Sequence, residues 1–297
     1  MLEQKRLRFR AAFFQVVRRF FESRGFLEVD TPIRQPLVIP EQNISHIPST
    51  THFLQSSPEL YMKRLLAEPG CEQIYQICRC FRHGEQGRLH LEEFVMLEWY
   101  RRDADYRTLM HDCESMIRYL CAEFEEHSFP CAVEQPWEYL SVAEAFVKYS
   151  SISAVEALKK DCFDEILVED VEPNLGKERP LFLYDYPLSL ASLARQKKEE
   201  PELAERFELY INGVELANGF SELTDPQVQR QRFQEEYTAM EPDNQMENRM
   251  PEHFLSSLAK LDEAAGIAMG VDRLLMLLMG GDNLQEIISF SPEELDM

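Results

Sequence analysis

The sequence predicts an α+β domain, and three stretches carry that expectation. Tyr75 to Arg102, YQICRCFRHGEQGRLHLEEFVMLEWYRR, reads as strand, loop, strand. Arg206 to Gly219, RFELYINGVELANG, reads as a second hairpin, closed by the Asn212–Gly213 turn signal. Leu2 to Arg24 reads as a helix whose apolar stripe is Leu7, Phe13, Phe14, Val17, Phe20 and Phe21.

The remaining elements follow in chain order. Gly25 ends the first helix, and Phe26 to Val29 is a short strand. Thr31 to Ser56 is rich in proline and reads as irregular. Ser57-Pro58 opens a helix, with the serine as N-cap and the proline in the first turn. Tyr106 to Phe124 reads as a surface helix, Ser141 to Lys159 as one or two further helices, and Pro180 to Tyr186 as a strand.

Composition narrows the function. A chain of 297 residues, 44% of them hydrophobic, can bury a full core in one domain. No run reaches the length of a membrane span, and the charged N-terminus lacks the apolar core of a secretion signal, so a cytoplasmic protein with no membrane partner is expected. The seven cysteines lack metal spacing. Cys78 and Cys80 point to one face of a strand, but no second pair completes a zinc site, and free thiols are expected. A net charge of −22 suits a long polyanion poorly. The arginines gather in the first helix and around the first hairpin, which suits an arginine-lined pocket inside an acidic body.

The two hairpins carry the chemistry. Alternation sets Gln76, Cys78, Cys80 and Arg82 on one face of the first arm, and Phe94, Met96, Glu98 and Tyr100 on one face of the second. His83, Glu85, Arg88 and His90 lie in the loop between. One hairpin thus offers an arginine for phosphate, a ring for a flat base, and a carboxylate beside a phenol for an amine. That combination calls for a nucleotide and an amino compound. In the second hairpin a two-residue loop pairs Tyr210 with Glu215 and Glu208 with Ala217. Glu208 and Glu215 then lie diagonally on one face, close enough to share a divalent cation. Mg²⁺ bridging phosphates is the natural occupant. Strict alternation turns Asn218 and Glu222 to the other face unless the strand bulges or bends near Gly219.

The first hairpin resembles motif 2 of the class II aminoacyl-tRNA synthetases, in their lysine branch. FFESRGFLEVDTP, Phe20 to Pro32, is similar to motif 1, the dimer-forming helix and strand. GIAMGVDRLLM, Gly266 to Met276, is similar to motif 3. SPELYMKR, Ser57 to Arg64, and ELANGFSE, Glu215 to Glu222, resemble the amino-acid-binding segments of that branch. The resemblance covers nearly the whole chain. It implies the class II catalytic domain, an antiparallel sheet flanked by helices, and a homodimer through Phe20 to Pro32. It also implies adenylation, in which a substrate carboxylate attacks the α-phosphorus of ATP and pyrophosphate leaves.

Roles follow from the resemblance residue by residue. Arg82 matches the arginine that holds the α-phosphate and Arg273 the one that holds the γ-phosphate. Phe94 stacks on adenine, His90 reaches the phosphate tail, and Glu208 and Glu215 carry Mg²⁺. Glu222, Glu98 and Tyr100 receive a terminal ammonium, since a buried cation needs a paired carboxylate. Glu59 meets the other amino group and Asn218 the carboxylate, with Ser57, Ala268 and Gly270 completing the substrate pocket. One departure stands out: Phe81-Arg82-His83-Gly84 puts glycine where the family has glutamate, and Glu85 follows one residue late.

Within the family the chain looks like the truncated paralogues that attach β-lysine to a lysine of elongation factor P. VEPNLGKERP, Val171 to Pro180, is close to their sequence, and Ala268 stands where the tRNA-charging enzymes have glycine. The expectation is one catalytic domain over 1–297 without an anticodon-binding domain, lysine or β-lysine as substrate, elongation factor P as partner, and no use of tRNA. Two alternatives stay open: a stand-alone synthetase serving tRNA or another acceptor, and a catalytically weak lysine-binding regulator. An acceptor amine must arrive neutral, and Arg88 and Arg101 are candidates for the cation that keeps it so.

Overall fold

The computed structural model describes residues 3–40, 44–239 and 249–295. Helix α1 (Gln4–Ser23) realises the first predicted helix; Leu2 lies outside the described residues. Gly25, at a φ of 76°, closes it in a left-handed conformation that favours glycine. Strand β1 (Leu27–Glu28) follows. The segment expected to be irregular holds a small sheet of β2 (Arg34–Gln35), β3 (Pro48–Ser49) and β4 (His52–Leu54), in the order β2-β4-β3. Strands of two or three residues carry no period for a sequence to show.

The chain continues through α2 (Glu59–Leu66), β5 (Gln73–Phe81), β6 (Glu93–Arg102), α3 (Tyr106–Glu123) and β7 (Glu138–Ser141). Then come α4 (Val142–Tyr149), α5 (Ala154–Lys159), α6 (Phe163–Ile166), β8 (Leu181–Pro187), β9 (Leu203–Ile211) and β10 (Val214–Ser221). The last elements are α7 (Pro226–Ala239), α8 (Glu252–Leu258), β11 (Ala264–Gly270) and α9 (Val271–Leu278). Eight strands form the main sheet in the order β1-β5-β6-β11-β10-β9-β8-β7. The six inner strands pair antiparallel, as expected of the class II domain. The two edge strands, β1 on β5 and β7 on β8, pair parallel. Among the described residues no helix is long and apolar enough to cross a membrane.

One face of this sheet is dry. Val95, Leu97 and Trp99 of β6, Ile267 and Met269 of β11, and Phe207 and Leu209 of β9 pack with the apolar stripes of α1, α3 and α9 into the main core. Each buried aromatic or aliphatic side chain there contributes about 1.5–3 kcal/mol of transfer free energy. Phe21 of α1 stacks on Tyr75 at 4.5 Å. Phe13, Val16, Val17, Phe20 and Phe21 are thus consumed inside the chain. Helix α3, expected at the surface, buries Leu109, Met110, Cys113, Met116, Ile117 and Leu120, and only its outer side meets solvent. Arg101 also turns to this side, where it pairs with Asp112 at 2.9 Å. It faces away from Glu98 and Tyr100, so its expected role beside an acceptor amine is ruled out by strand alternation.

The opposite face carries the polar residues. Pairing of Gln76 with Glu98, Cys78 with Met96 and Cys80 with Phe94 bears out the reading of the first hairpin. The Cys78 and Cys80 thiols lie 3.9 Å apart on that face, both free. The second hairpin departs from its expected register. Glu215 pairs with Tyr210, but Glu208 then faces Asn218 instead of Ala217. The strand bulges between Glu215 and Ala217, not near Gly219. The bulge lets the adjacent apolar residues Leu216 and Ala217 both bury, and it returns Asn218 and Phe220 to the face of Glu215.

Asp272, at the start of α9, ties the layers together. One carboxylate oxygen accepts from the Val95 amide at 2.7 Å, and the other meets Arg10 of α1 at 2.9 Å. Both side chains of the ion pair are nearly buried. Asp272→Ala strands a guanidinium and an amide, and is expected to cost about 3–5 kcal/mol. Urea denaturation measures this; a loss under about 1 kcal/mol contradicts the assignment.

Candidate active site

Strand register builds the floor of the site. Gln76, Glu98, Ala268, Asn218 and Glu208 stand in one row across five strands. The next row holds Tyr100, Gly266, Phe220 and Arg206. Both rows open into a cavity of about 760 Å³. Ser57, Glu59, Arg82, Glu85, His90, Phe94, Glu215, Gly270 and Arg273 line its walls. Every residue given an ATP- or substrate-binding role by the resemblance lines this one cavity except Glu222, which is tied to it through its neighbour Lys63, whereas Arg88 and Arg101 do not line it.

One end suits amines. Glu98 is fully buried; one oxygen accepts from the Ser57 hydroxyl at 2.7 Å and the other from the Tyr100 hydroxyl at 2.7 Å. The Ser57 oxygen also accepts from the Glu59 amide at 3.0 Å, although α2 starts one residue later than expected, with Pro58 and not Ser57 at its N-cap. Lys63, one helical turn beyond Glu59, is 2% exposed and ion-pairs with both Glu59 and Glu222. Glu59 therefore faces a partner that the sequence reading did not include. Gly266 makes the close packing possible, because a Cβ there would lie 2.2 Å from the Tyr100 ring and 2.4 Å from Glu222 Oε1. Burial pushes the Glu98 carboxyl up to about 8, and the negative charge of Glu59 adds to the push. Burial likewise raises Glu222 to about 8, against the pull of Lys63. Glu222 Oε1 has no hydrogen-bond donor.

The other end suits phosphates. Arg82 lies over the Phe94 ring at 5.3 Å and contacts Glu85 at 3.4 Å. Its Nε–H is buried without an acceptor, a donor that suits an anionic oxygen. Gly84 sits at a φ of 76°, and its amide donates to Glu92 at 2.7 Å. The left-handed turn accounts for glycine at the position where the family has glutamate, and Glu85 supplies the carboxylate beside Arg82. Arg273 donates to Leu89 O at 3.1 Å and to Glu215 O at 3.0 Å, and lies 2.9 Å from His90 Nε2. Burial and the Arg273 charge hold His90 below its usual pKa. Arg88 is engaged elsewhere, donating to Asp282 O at 2.6 Å.

Between the ends lies a charge network that the sequence reading missed in part. Glu208 accepts from the Tyr186 and Tyr210 hydroxyls and pairs with Arg206 at 2.7 Å. Arg206 also donates to Asn218 at 3.1 Å. Its signal was present, since Arg206-x-Glu208 on a strand puts both side chains on one face. Lys63 was legible in the same way, as the i+4 partner of Glu59 on a helix. Glu172 gave no local signal; it meets Tyr210 at 3.0 Å, and burial lifts its carboxyl to about 7. Among the described residues no group of three or more metal-ligating side chains converges. Glu208 and Glu215 still repel each other across the cavity. Two carboxylates completed by phosphate oxygens and waters is the usual manner of holding Mg²⁺, so this donor pair fits that ion.

The raised Glu98 carboxyl ties stability to pH. Its folded pKa, about 8, exceeds the ordinary value of 4.5, so its contribution is fully present below 4.5 and is lost as pH rises through 8. Glu98→Gln removes that titration and is expected to raise stability relative to the parent at pH 9, with the gain vanishing toward pH 5. Chemical denaturation across that range measures it, and a pH-independent difference contradicts the assignment.

Comparison with known proteins agrees with this architecture. The family model described as tRNA synthetases class II (D, K and N) matches residues 3–294. A relative from Edwardsiella ictaluri (strain 93-146), named elongation factor P–(R)-β-lysine ligase, is 38% identical over 306 residues, covering 95% of this chain and 93% of that protein. A relative of the same name from Salmonella arizonae is 37% identical over 304 residues, with the same coverage. With the motif 1, 2 and 3 segments arranged around one sheet, the chain belongs to the class II tRNA synthetase family of the D, K and N type.

Proposed function

We propose that this chain is an ATP-dependent ligase that activates (R)-β-lysine or lysine as its adenylate and passes it to the ε-amine of a lysine on elongation factor P. One observation carries the substrate class. Glu59 and Glu222 pair with the Lys63 ammonium, and Glu98, buried beside them, is held only by the Ser57 and Tyr100 hydroxyls. Three carboxylates against one ammonium leave the pocket two positive charges short when all are ionised. A diamino acid brings two. Burial makes an unpaired carboxylate costly, so a dicationic ligand is favoured over any neutral one of the same shape. The acceptor follows the relatives, whose names specify elongation factor P.

The protein groups divide the work. Glu98 and Glu222 receive the ammonium that lies far from the reacting carboxylate, and Tyr100 and Ser57 hold Glu98 in place. Asn218, itself fixed by Arg206, orients the substrate carboxylate. That carboxylate attacks the α-phosphorus of ATP, and pyrophosphate leaves. The free N–H of Arg82 meets the charge that develops on the α-phosphate. Phe94 supports the base, while Arg273 and His90 meet the departing phosphates. Mg²⁺ held by Glu208 and Glu215 offsets phosphate charge when bound. In the second step the neutral lysine amine attacks the carbonyl of the adenylate, an amide forms, AMP leaves, and the amine's proton passes to solvent. The proposal includes a cytoplasmic homodimer through Phe20 to Pro32. Since α1 spends its stripe on its own core, the exposed Leu27 remains for that contact, with the exposed Ile33 just past the segment's end.

Amino-acid-dependent pyrophosphate exchange tests activation, and intact mass of elongation factor P tests transfer. Exchange with β-lysine or lysine and one added lysyl mass are expected, with little label on tRNA. No exchange with any diamino acid overturns the enzyme reading, whereas efficient tRNA charging with unmodified elongation factor P overturns the acceptor. Arg82→Ala is expected to slow exchange on the order of a hundredfold, as for loss of other charge-stabilising donors. A rate within about threefold of the parent removes Arg82 from the reacting centre. Light scattering at micromolar concentration reads the dimer, and a monomeric mass refutes it.

A further inference from the structure

We infer that Lys63 is a positioning residue that sets which substrates the pocket accepts. Its resident ammonium grips Glu59 and Glu222 from outside the cavity and leaves the three carboxylates two positive charges short when all are ionised. The inference rests on the diamino-acid reading of the site.

Lys63 is buried at 2% exposure on α2, and it does not line the cavity, although Glu59 does. It holds two carboxylates from separate elements: Glu59 on its own helix and Glu222 just past β10. The rings of Phe220 and Phe254 lie 5.1 Å and 5.9 Å from its ammonium. A buried ion pair of this kind adds little net stability over apolar residues of equal volume. Met62, next in sequence, shows that α2 buries an apolar side chain of similar size. Stability alone therefore does not call for an ammonium here. Charge count does. Without Lys63, Glu59 and Glu222 face each other and Glu98 with no internal cation. A carboxylate so placed takes up a proton, and a neutral carboxyl attracts a substrate ammonium weakly. The groups that set this balance are Glu59 from α2, Glu98 and Tyr100 from β6, and Glu222 after β10. The paired carboxylates keep Lys63 itself protonated, because their charges outweigh its burial. A protonated amine has no lone pair, so Lys63 stays inert toward an adenylate formed nearby.

The test compares Lys63→Met and Lys63→Ala with the parent in pyrophosphate exchange, using lysine and norleucine, which lacks the distal amine. Lys63→Met is expected to raise KM for lysine at least about tenfold, with kcat at saturation within about threefold of the parent. It should narrow the preference for lysine over norleucine and move the KM–pH curve to higher pH. Ethylammonium should restore KM in Lys63→Ala, and ethanol should not. If the variants are unstable, melting temperature is read instead: a rise with ethylammonium exceeding that with ethanol supports the charge role, and equal responses overturn it. A folded Lys63→Met with the parent's KM, preference and pH profile also overturns it. A parent protein inactive with every diamino acid refutes the proposed activity instead, so the two failures are distinguishable.

Discussion

Strand register is the constraint on which the site depends. Glu98, Ala268, Asn218 and Glu208 come from four strands, three stretches of the chain far apart in sequence, and only their pairing sets them in one row. Side chains alternate with a period of two, so a slip of one residue in any pair sends a polar member into the dry core and an apolar member into the cavity. The main core penalises that slip, since Leu97, Ile267 and Leu209 would leave it. Hydrophobic burial on one face thus specifies polar geometry on the other. The bulge at Leu216 breaks the period in β10, and it serves both faces at once.

This division accounts for what the sequence made legible. The first hairpin obeys strict alternation, and its facing pairs were readable from that alone. The second hairpin was readable up to Glu215 and misread beyond it, because a bulge is a tertiary choice: Leu216 and Ala217 are placed by core packing, which no local pattern encodes. The class II resemblance had already required Asn218 and Glu222 on the site face, and the glycine at Gly219 suggested the break a few residues too late. Parallel edge strands and the small β2-β4-β3 sheet were missed because long-range pairing, not composition, defines them. Arg101 was misassigned by proximity in sequence to Tyr100, whereas neighbours on a strand point apart. Glu172 reaches the cavity from a helical segment far away in sequence, and nothing short of the fold brings it there.

The acidic composition also takes on a specific form. Arg82, Arg206 and Arg273 all line the cavity, and each has an internal carboxylate partner: Glu85, Glu208 and Glu215. The cavity is therefore not a bare cationic funnel. An arriving anion exchanges one partner for another at each arginine, so its affinity reflects a difference between two ion pairs and not a gross attraction. Arg82 departs from this pattern in one respect, since its Nε–H is the buried donor left unanswered. A short, multiply charged ligand with fixed geometry can win such exchanges at several points together. A long, uniformly charged one gains little from them.

The first turn of α9 has a consequence of another kind. Asp272 and Arg273 are adjacent, yet one is locked into the junction of α1 and β6 while the other reaches Glu215 and His90 across the cavity. Successive residues on a helix diverge by about 100° around its axis, as 3.6 residues per turn requires. The angular phase at which this helix leaves Gly270 thus decides which side chain goes where. Anchoring Asp272 fixes that phase for the whole helix, much as an index pin sets a dial. Arg273 then inherits an orientation that it need not secure for itself, and a cavity-facing cation remains free to trade partners without loosening the scaffold behind it.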